Sequence, residues 1–306
     1  MADRIRVAAA AIALAVVAVN APVSRAQQGE FTNNFRFNRG QAIQPIFEGW
    51  SWAADGSINM HFGYLNRNYA EEPQIPVGPN NRIEPGGPDR GQPTFFYSRT
   101  RRNLFLVNVP KTWGKRDEVV WTVTHHDVTE RAVGWLQAEW EIDPNGGSTG
   151  AGNTPERAAN KTPAITVTAL APATVATPVT LAASVADDGL PVPKPKGKPA
   201  VGQETPPTLV GGTDAPVNVP TAAPREEARP GARPDGLVVT WMVWRGPADV
   251  AFAPRFTQDT AGQMRTTATF RAAGDYVLRA TADDGAAASY VHVPIKVTAA
   301  SGSGQQ

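Results

Sequence analysis

Residues 79–124 read PNNRIEPGGPDRGQPTFFYSRTRRNLFLVNVPKTWGKRDEVVWTVT, and this stretch decides the fold of the first half of the chain. It begins as a loop rich in glycine and proline, carries a group of arginines, and ends in two apolar segments. In each apolar segment alternate residues share one face, a period of two that predicts half-buried strands. The residues of the two shared faces are Phe105, Val107, Val109, Val119, Trp121 and Val123.

The flanking sequence extends this pattern into an all-β domain. A strand from Ile46 to Ala53 is followed by Asp55-Gly56, a dipeptide typical of tight hairpin turns. The returning strand alternates from residue 58 to residue 64, which predicts that His61 faces solvent. A last strand is predicted at residues 136–142. Trp121 and Trp140 fall at the apolar positions of their strands and are expected in the core. Because no segment shows the 3.6-residue period of a helix, the domain at 45–143 is predicted to be a β-sandwich.

The N-terminus has the layout of a secretory signal peptide. Arg4 and Arg6 precede an apolar run from Val7 to Val19, and Ser24-Arg25-Ala26 places small residues at the −3 and −1 positions of a cleavage site. The run of 13 residues is shorter than the roughly 20 that a spanning helix needs. Residues 1–26 are therefore predicted to direct export to the periplasm or the medium, and no membrane span is expected in the mature chain.

Charge and cysteine content restrict the partners. Removing residues 1–26 takes three arginines and one aspartate from 29 basic and 28 acidic residues, so the mature net charge is about −1. A near-neutral chain argues against nucleic acid as a partner. The absence of cysteine excludes disulfides, thiolate metal sites and a cysteine nucleophile.

The rest of the chain is divided by composition. Residues 27–44 are predicted to be a flexible arm, 144–163 a linker and 299–306 a flexible tail. Residues 164–298 contain about seven alternating segments, the strand count of an immunoglobulin-like sandwich. Within them, residues 190–235 carry 11 prolines and few apolar side chains, and we expect this insertion to be disordered.

Two resemblances to known families follow from these segments. Gly274-Asp275-Tyr276-Val277-Leu278-Arg279, followed by Ala282-Asp283-Asp284-Gly285, resembles the penultimate strand and loop of bacterial PKD-type or cadherin-like Ig modules. That resemblance implies an Ig-like sandwich and places Tyr276 where a tyrosine corner would lie. The segment PVGPNNRIEPGGPDRGQPTFFYSR resembles one that recurs in an uncharacterised family of exported bacterial proteins, which implies export and no particular activity.

No motif in the sequence predicts a set of catalytic residues. Gly146-Gly147-Ser148-Thr149-Gly150 matches G-x-S-x-G, but no apolar helical face follows it, so we interpret it as a chance match in a linker. His125 and His126 are adjacent in a predicted strand, would face opposite sides, and are not expected to share a metal ion. Glu139 and Glu141 share a predicted solvent face and are interpreted as surface residues rather than a catalytic pair.

Two groups are candidates for ligand binding. Trp50, Trp52 and Trp135 could form a stacking platform for a sugar or a partner chain, with burial in the sandwich or between domains as the alternative. The arginines of the loop could bind an anion or polysaccharide, or brace the loop by pairing with Glu84, Asp89, Asp117 and Glu118. These arginines are Arg82, Arg90, Arg99, Arg101 and Arg102.

A calcium site is the candidate metal site of the second half. Asp187 and Asp188 follow the second strand of the Ig-like domain, Asp283 and Asp284 follow the sixth, and the two loops emerge at the same end of such a sandwich. Four carboxylates at one pole could bind Ca²⁺, or each could cap its own turn.

The sequence as a whole predicts a non-enzymatic, exported binding or structural module of the bacterial cell envelope. Its partner would be another envelope protein or a polysaccharide. The alternatives are a carbohydrate-binding protein that uses the first-domain tryptophans and arginines, and a hydrolase with an unrecognised site.

Overall fold

Antiparallel sheets account for nearly all the regular structure, as predicted. The computed structural model describes residues 37–142, 155–192, 234–258 and 262–300. In these ranges the strands are β1 (Ile43–Trp52), β2 (Ile58–Asn66), β3 (Asn81–Glu84), β4 (Arg99–Val109), β5 (Val119–His125), β6 (Val128–Gly134), β7 (Ala164–Val167), β8 (Ala173–Thr174), β9 (Val179–Ala186), β10 (Val238–Arg245), β11 (Val250–Ala253), β12 (Phe256–Thr257), β13 (Gln263–Phe270), β14 (Gly274–Asp283) and β15 (Ala288–Thr298). A 3₁₀ turn at Ala138–Trp140 and a helix α1 at Pro155–Ala159 complete the regular elements of the described ranges.

Several predictions fall on residues outside the described ranges. They are the signal peptide at 1–26, the part of the arm up to residue 36, the Gly146–Gly150 motif of the linker, the insertion between residues 193 and 233, and the tail from residue 301. Where the predicted linker is described it contains α1, whose first residue is proline. Proline is favoured in the first turn of a helix because the amide it lacks would have no intrahelical partner there.

The first sandwich consists of two three-stranded sheets, in the orders β1-β2-β4 and β3-β5-β6. The predicted hairpin is present: Trp52 pairs with Ile58 around the turn, and Gly56 has φ = 80°. The alternating side chains pack between the sheets as the period of two requires. The fully buried set includes Met60, Phe62, Tyr64, Phe105, Val107, Val119, Trp121 and Val123.

Three local predictions for this sandwich are wrong. Residues 136–142 do not form a strand: a 3₁₀ turn interrupts them and leaves Trp140 38% exposed rather than in the core. The chain instead makes β6 before this segment, a strand whose N-terminal half is exposed and therefore lacks the apolar alternation. His61 does not face open solvent; it is half-buried, with Nε2 2.8 Å from the Ser51 hydroxyl, and burial lowers its pKa.

Buried amides hold the long loop between β2 and β4. Asn81 is fully buried and donates to the carbonyls of Ile75 (3.0 Å) and Pro93 (2.8 Å), while its Oδ1 accepts from the Trp121 indole (2.9 Å). Asn66, also fully buried, donates to the carbonyls of residues 71 and 96. Strand β3 lies within this segment and pairs with β5, and the buried amides satisfy carbonyls that lie outside that ladder. Side chains therefore help to order the parts of the loop that no strand holds.

The second sandwich has Ig-like connectivity. One sheet runs β11-β13-β9-β7 and the other β12-β10-β14-β15-β8, with β8 parallel to β15. Taken from the other edge, these orders match the A-B-E-D and A′-G-F-C sheets of Ig domains, with the two-residue β12 as an extra strand beside β10. The Tyr276 hydroxyl donates to the Ala272 carbonyl at 3.0 Å, which confirms the expected tyrosine corner at the start of β14.

Each sandwich places an aromatic side chain in the hydrophobic core of the other, at the interface between them. Phe95, from the long loop of the first sandwich, packs in the core of the second, while Trp244 of β10 packs in the core of the first. The Thr94 amide donates to the Trp244 carbonyl at 3.0 Å, and the Val243 amide donates to the Tyr97 hydroxyl at 2.8 Å. Each core is therefore completed by the other half of the chain.

Two arginines of the second sandwich add polar contacts to this interface. Arg245 binds Asp89 through two hydrogen bonds of 2.9 and 2.7 Å and also donates to the Gln92 carbonyl. The Arg279 guanidinium is stacked between two rings, 3.4 Å from the centre of Trp244 and 3.9 Å from that of Tyr290. Burial lowers the pKa of Arg279 to about 10, and in the described ranges no carboxylate pairs with it. Its charge is stabilised by these aromatic faces and by the carbonyl of Leu104 in the first sandwich, to which the guanidinium donates.

Candidate functional site

The hairpin between β5 and β6 brings two histidines to the same side of the molecule. His126 and Asp127 are the central residues of its two-residue turn, with φ values of 49° and 60°. Positive φ at both positions is the requirement of a type I′ turn. The prediction that His125 and His126 face opposite sides is therefore wrong, since only His125 belongs to the strand. Their rings lie 4.0 Å apart, centre to centre.

Both imidazoles reach the same carboxylate oxygen. Oε1 of Glu71 lies 3.2 Å from Nε2 of His125 and 2.8 Å from Nε2 of His126. The other oxygen, Oε2, accepts the Gly40 amide at 2.7 Å. The backbone of Glu71 is fixed as well, because its amide donates to Asn38 and its carbonyl accepts from the Asn66 side chain.

Electrostatics keep this cluster in a form suited to ligation. Burial, with His126 as a second cause, lowers the pKa of His125 despite the opposing effect of Glu71. Burial raises the pKa of Glu71, but the Gly40 amide and the two imidazoles outweigh it and hold this pKa below its usual value. Near neutral pH the cluster therefore offers a charged carboxylate beside a neutral imidazole at His125.

Sequence reasoning missed this cluster because it missed β6. Once Val128–Gly134 is a strand, His126-Asp127 becomes a two-residue connection between two strands, although it lacks the glycine that usually marks such a turn. Glu71 carries no comparable signal. It lies 54 residues from His125, in a loop without periodicity, and only the tertiary fold brings the two together.

The predicted tryptophan platform is divided between core and surface. Trp50 is 6% exposed, and its indole donates to the Gln137 carbonyl at 2.8 Å. Trp52 is 49% exposed and meets Trp50 edge to face, with the ring centres 5.6 Å apart. Trp135 is half-buried and packs 4.9 Å from Trp140, centre to centre, while Phe47 contacts both of these rings. Trp52, Trp135 and Trp140 thus leave accessible indole surface along β1 and the 135–142 segment, which we name the tryptophan edge.

The five loop arginines are engaged by different partners. Arg82 pairs with Glu84 at 3.1 Å and donates to the Pro79 carbonyl. Arg90 donates to two backbone carbonyls, those of residues 85 and 108. Arg99 lies 4.3 Å from the centre of the Tyr69 ring and Arg101 lies 5.4 Å from that of Tyr97.

The remaining loop groups have other roles. Arg102, together with the Asn103 amide, favours the charged form of Glu48, although burial raises the pKa of that carboxyl overall. Asp89 pairs with Arg245 of the second sandwich, and Asp117 accepts the Gly114 amide. Bracing of the loop thus relies on backbone carbonyls and aromatic rings more than on the expected acidic residues.

The four aspartates of the proposed calcium site lie at one end of the second sandwich. Asn160 donates to Asp284, and the amide of the next residue, Lys161, donates to Asp188 at 2.9 Å, so the chain entering the sandwich bridges both acidic loops. Each aspartate also accepts an amide of its own turn; the donors are Gly189 to Asp187, Leu190 to Asp188, Gly285 to Asp283, and Ala286 and Ala287 to Asp284. Turn capping thus occupies these carboxylates, and calcium binding there stays a prediction.

The two glutamates interpreted as surface residues are exposed. Glu139 lies in the 3₁₀ turn and Glu141 forms an isolated bridge with Trp50, so they do not share the face of a strand.

Comparisons with known proteins give no family. No protein-family model matches the chain, and no curated protein matches it. Among solved structures, domains 4 and 5 of the S-layer protein SbsC are similar with a TM-score of 0.24 and 12% identity, over 62% of this chain and 67% of that one. A chimeric titin Z1Z2 gives a TM-score of 0.23 and 11% identity, over 84% and 99% of the two chains.

An endo-fucoidan hydrolase of glycoside hydrolase family 107 gives a TM-score of 0.24 and 12% identity, over 87% of this chain and 28% of its own. Similarity at this level assigns neither fold nor activity, so the Ig-like topology of the second sandwich rests on its own strand order. Within the described ranges, no helix has the length and apolar character needed to cross a membrane.

Proposed function

We propose that this protein is an exported, non-enzymatic binding or structural module of the bacterial cell envelope, and that the tryptophan edge is its contact surface. The observation that carries the proposal is the exposure of Trp52 and Trp140, at 49% and 38%. Tryptophan is highly buried on average, so two exposed indoles on adjoining segments of the chain are informative where a single exposed leucine is not.

The fold around the tryptophan edge supports a binding role. A β-bulge in β1 between Phe47 and Gly49 bends the strand at the point where the 135–142 segment packs against it. The Ile142 amide donates to the Trp50 carbonyl at 2.7 Å, and this contact fixes the segment that carries Trp135 and Trp140. Indoles held on a rigid support lose little conformational entropy when a ligand stacks on them.

A polysaccharide is the second, more specific candidate for the partner, favoured by the same indoles. The C–H face of a sugar ring packs on an indole face, and the exposed glutamates beside Trp140 can accept hydrogen bonds from hydroxyl groups. The loop arginines contribute less than expected, because Arg82 and Arg90 already donate to backbone carbonyls.

The proposal is tested with the mature chain on a polysaccharide microarray that includes envelope glycans. If a polysaccharide is the partner, the wild type binds a defined glycan and Trp52→Ala weakens that binding at least about tenfold, since a hot-spot aromatic contributes about 2 kcal/mol or more. Leu106→Ala is the matched control, an exposed apolar residue of β4 outside the tryptophan edge. Glycan binding that Trp52→Ala and Trp140→Ala leave unchanged would refute the tryptophan edge as the contact surface.

Export is tested separately. Mass spectrometry of the protein secreted by a bacterial host should give a mature chain that begins at Gln27. A chain that retains residues 1–26 in the cytoplasmic fraction would refute export.

A further inference from the structure

We propose that Glu71, His125 and His126 form a binding site for a divalent transition-metal ion, with Zn²⁺ as the ion that fits best. One ligand atom from each of the three lies within 4.8 Å of the other two. In the part of the chain that the structure describes, no other group of three histidine or acidic side chains meets this condition. The site lies in the first sandwich, away from the four aspartates of the second.

The distances suit an ion. Zn²⁺ binds imidazole nitrogen at about 2.0–2.1 Å and carboxylate oxygen at about 2.0–2.2 Å, so the ligand atoms of a tetrahedral site lie about 3.3–3.5 Å apart. The two nitrogen-to-oxygen distances to Glu71 are 3.2 and 2.8 Å. An ion would take the place of the hydrogen-bond protons, and the shorter of these distances would widen by about 0.5–0.7 Å to reach tetrahedral spacing. Each imidazole would bind through Nε2 in its neutral form, so its remaining proton would sit on Nδ1.

The ligand set selects the class of metal. Two imidazoles and one carboxylate suit Zn²⁺, Cu²⁺, Ni²⁺ or Fe²⁺, whereas Ca²⁺ and Mg²⁺ prefer oxygen alone. The carboxylate is oriented by a second contact, because Oε2 of Glu71 accepts the Gly40 amide and leaves Oε1 for the ion. Contacts of this kind, from outside the ligands themselves, position metal sites generally.

Three protein ligands leave one position of a tetrahedral ion open. The side chain of His126 is 47% exposed and that of His125 is 14% exposed, so the ion would lie near the surface with the open position toward solvent. Water, or a carboxylate or imidazole of a partner, would fill it. The ion would also link the 66–75 part of the long loop to the β5–β6 hairpin.

The test uses the mature chain purified without a histidine tag and titrated with Zn²⁺ by calorimetry. We expect one saturable ion per chain. His126→Asn removes one imidazole and keeps the turn, since asparagine tolerates positive φ. We expect this variant and Glu71→Gln to bind at least about tenfold more weakly, because even the loss of a group that only orients a metal ligand weakens binding by about 10–100-fold. The same concentration of Zn²⁺ should raise the melting temperature of the wild type more than that of His126→Asn.

Two controls make the assignment specific. His61→Gln removes a histidine that lies outside the cluster and should bind Zn²⁺ like the wild type, and Ca²⁺ should not compete for the site. The proposal is overturned if the wild type shows no one-to-one binding of Zn²⁺. It is also overturned if His126→Asn, still folded, binds with unchanged affinity, or if His61→Gln loses binding to the same extent.

Discussion

Replacement of Asn81 by alanine tests whether buried amides hold the long loop in place. The Asn81 side chain donates to the carbonyls of Ile75 and Pro93 and accepts from the Trp121 indole, and no part of the residue is exposed. Alanine removes all three bonds at once and leaves two carbonyls and one N–H group without a partner inside the first core.

The expected loss of stability follows from that count. A buried polar group left without a partner costs about 1–3 kcal/mol. Three such groups would cost about 3–9 kcal/mol, and water that enters the vacated space satisfies some of them, so we expect a loss of about 4 kcal/mol. That is a large share of the roughly 5–15 kcal/mol that keeps a domain folded.

The assay is urea denaturation, combined with hydrogen exchange of the loop amides in native conditions. Asn80→Ala is the matched control, because Asn80 is the preceding residue, is exposed, and takes part only through its backbone carbonyl, which accepts the Thr124 amide. We expect the control to change stability by less than about 0.5 kcal/mol. A loss below about 1 kcal/mol for Asn81→Ala, with loop exchange unchanged, would refute the reasoning.

Three further predictions concern other parts of the chain. Gly49→Ala should destabilise by about 2 kcal/mol or more in thermal denaturation, because Gly49 has φ = 133° and a Cβ there would lie 2.8 Å from the Ile142 side chain; a neutral effect would contradict the packing. Tyr276→Phe should cost about 1 kcal/mol, since it removes only the hydroxyl that bonds the carbonyl four residues upstream, and an unchanged midpoint would argue against the tyrosine corner. Burial, with Arg279 as the next cause, lowers the pKa of His292 to about 4, so the unfolded chain binds more protons and stability should fall as the pH drops from about 6.5 toward 4. His292→Gln should remove about 1 kcal/mol of that pH dependence, a value reduced for the solvent exposure of the ring, and an identical pH profile would contradict the assignment.

Local patterns predicted the elements whose signals are local. The alternation at Met60, Phe62 and Tyr64 depends on only a few neighbouring residues, as does the Asp55-Gly56 turn, and the structure confirms both. Tyr276 was placed by its resemblance to Ig modules, and its hydroxyl bonds as expected. Strand β6 was missed because Val128 is exposed at its start, so the period of two that marks a half-buried strand is absent there.

The candidate sites were harder to predict because they depend on tertiary contacts. Trp50 is buried, which was the alternative to the stacking platform. Trp140 is exposed rather than in the core, because a 3₁₀ turn rather than a strand follows β6. The partner of Asp89 is Arg245, 156 residues away, rather than an arginine of its own loop. No periodicity or spacing encodes such pairs, which form only when the two sandwiches pack.

The central structural claim is that the two sandwiches form one cooperative body, because each places an aromatic side chain in the core of the other. Phe95 packs in the second core and Trp244 in the first, and Arg245 forms an ion pair with Asp89 across the interface. Differential scanning calorimetry of the mature chain measures this claim directly. The account predicts a single transition whose van't Hoff and calorimetric enthalpies agree. Two resolved transitions, or a calorimetric enthalpy well above the van't Hoff value, would contradict it.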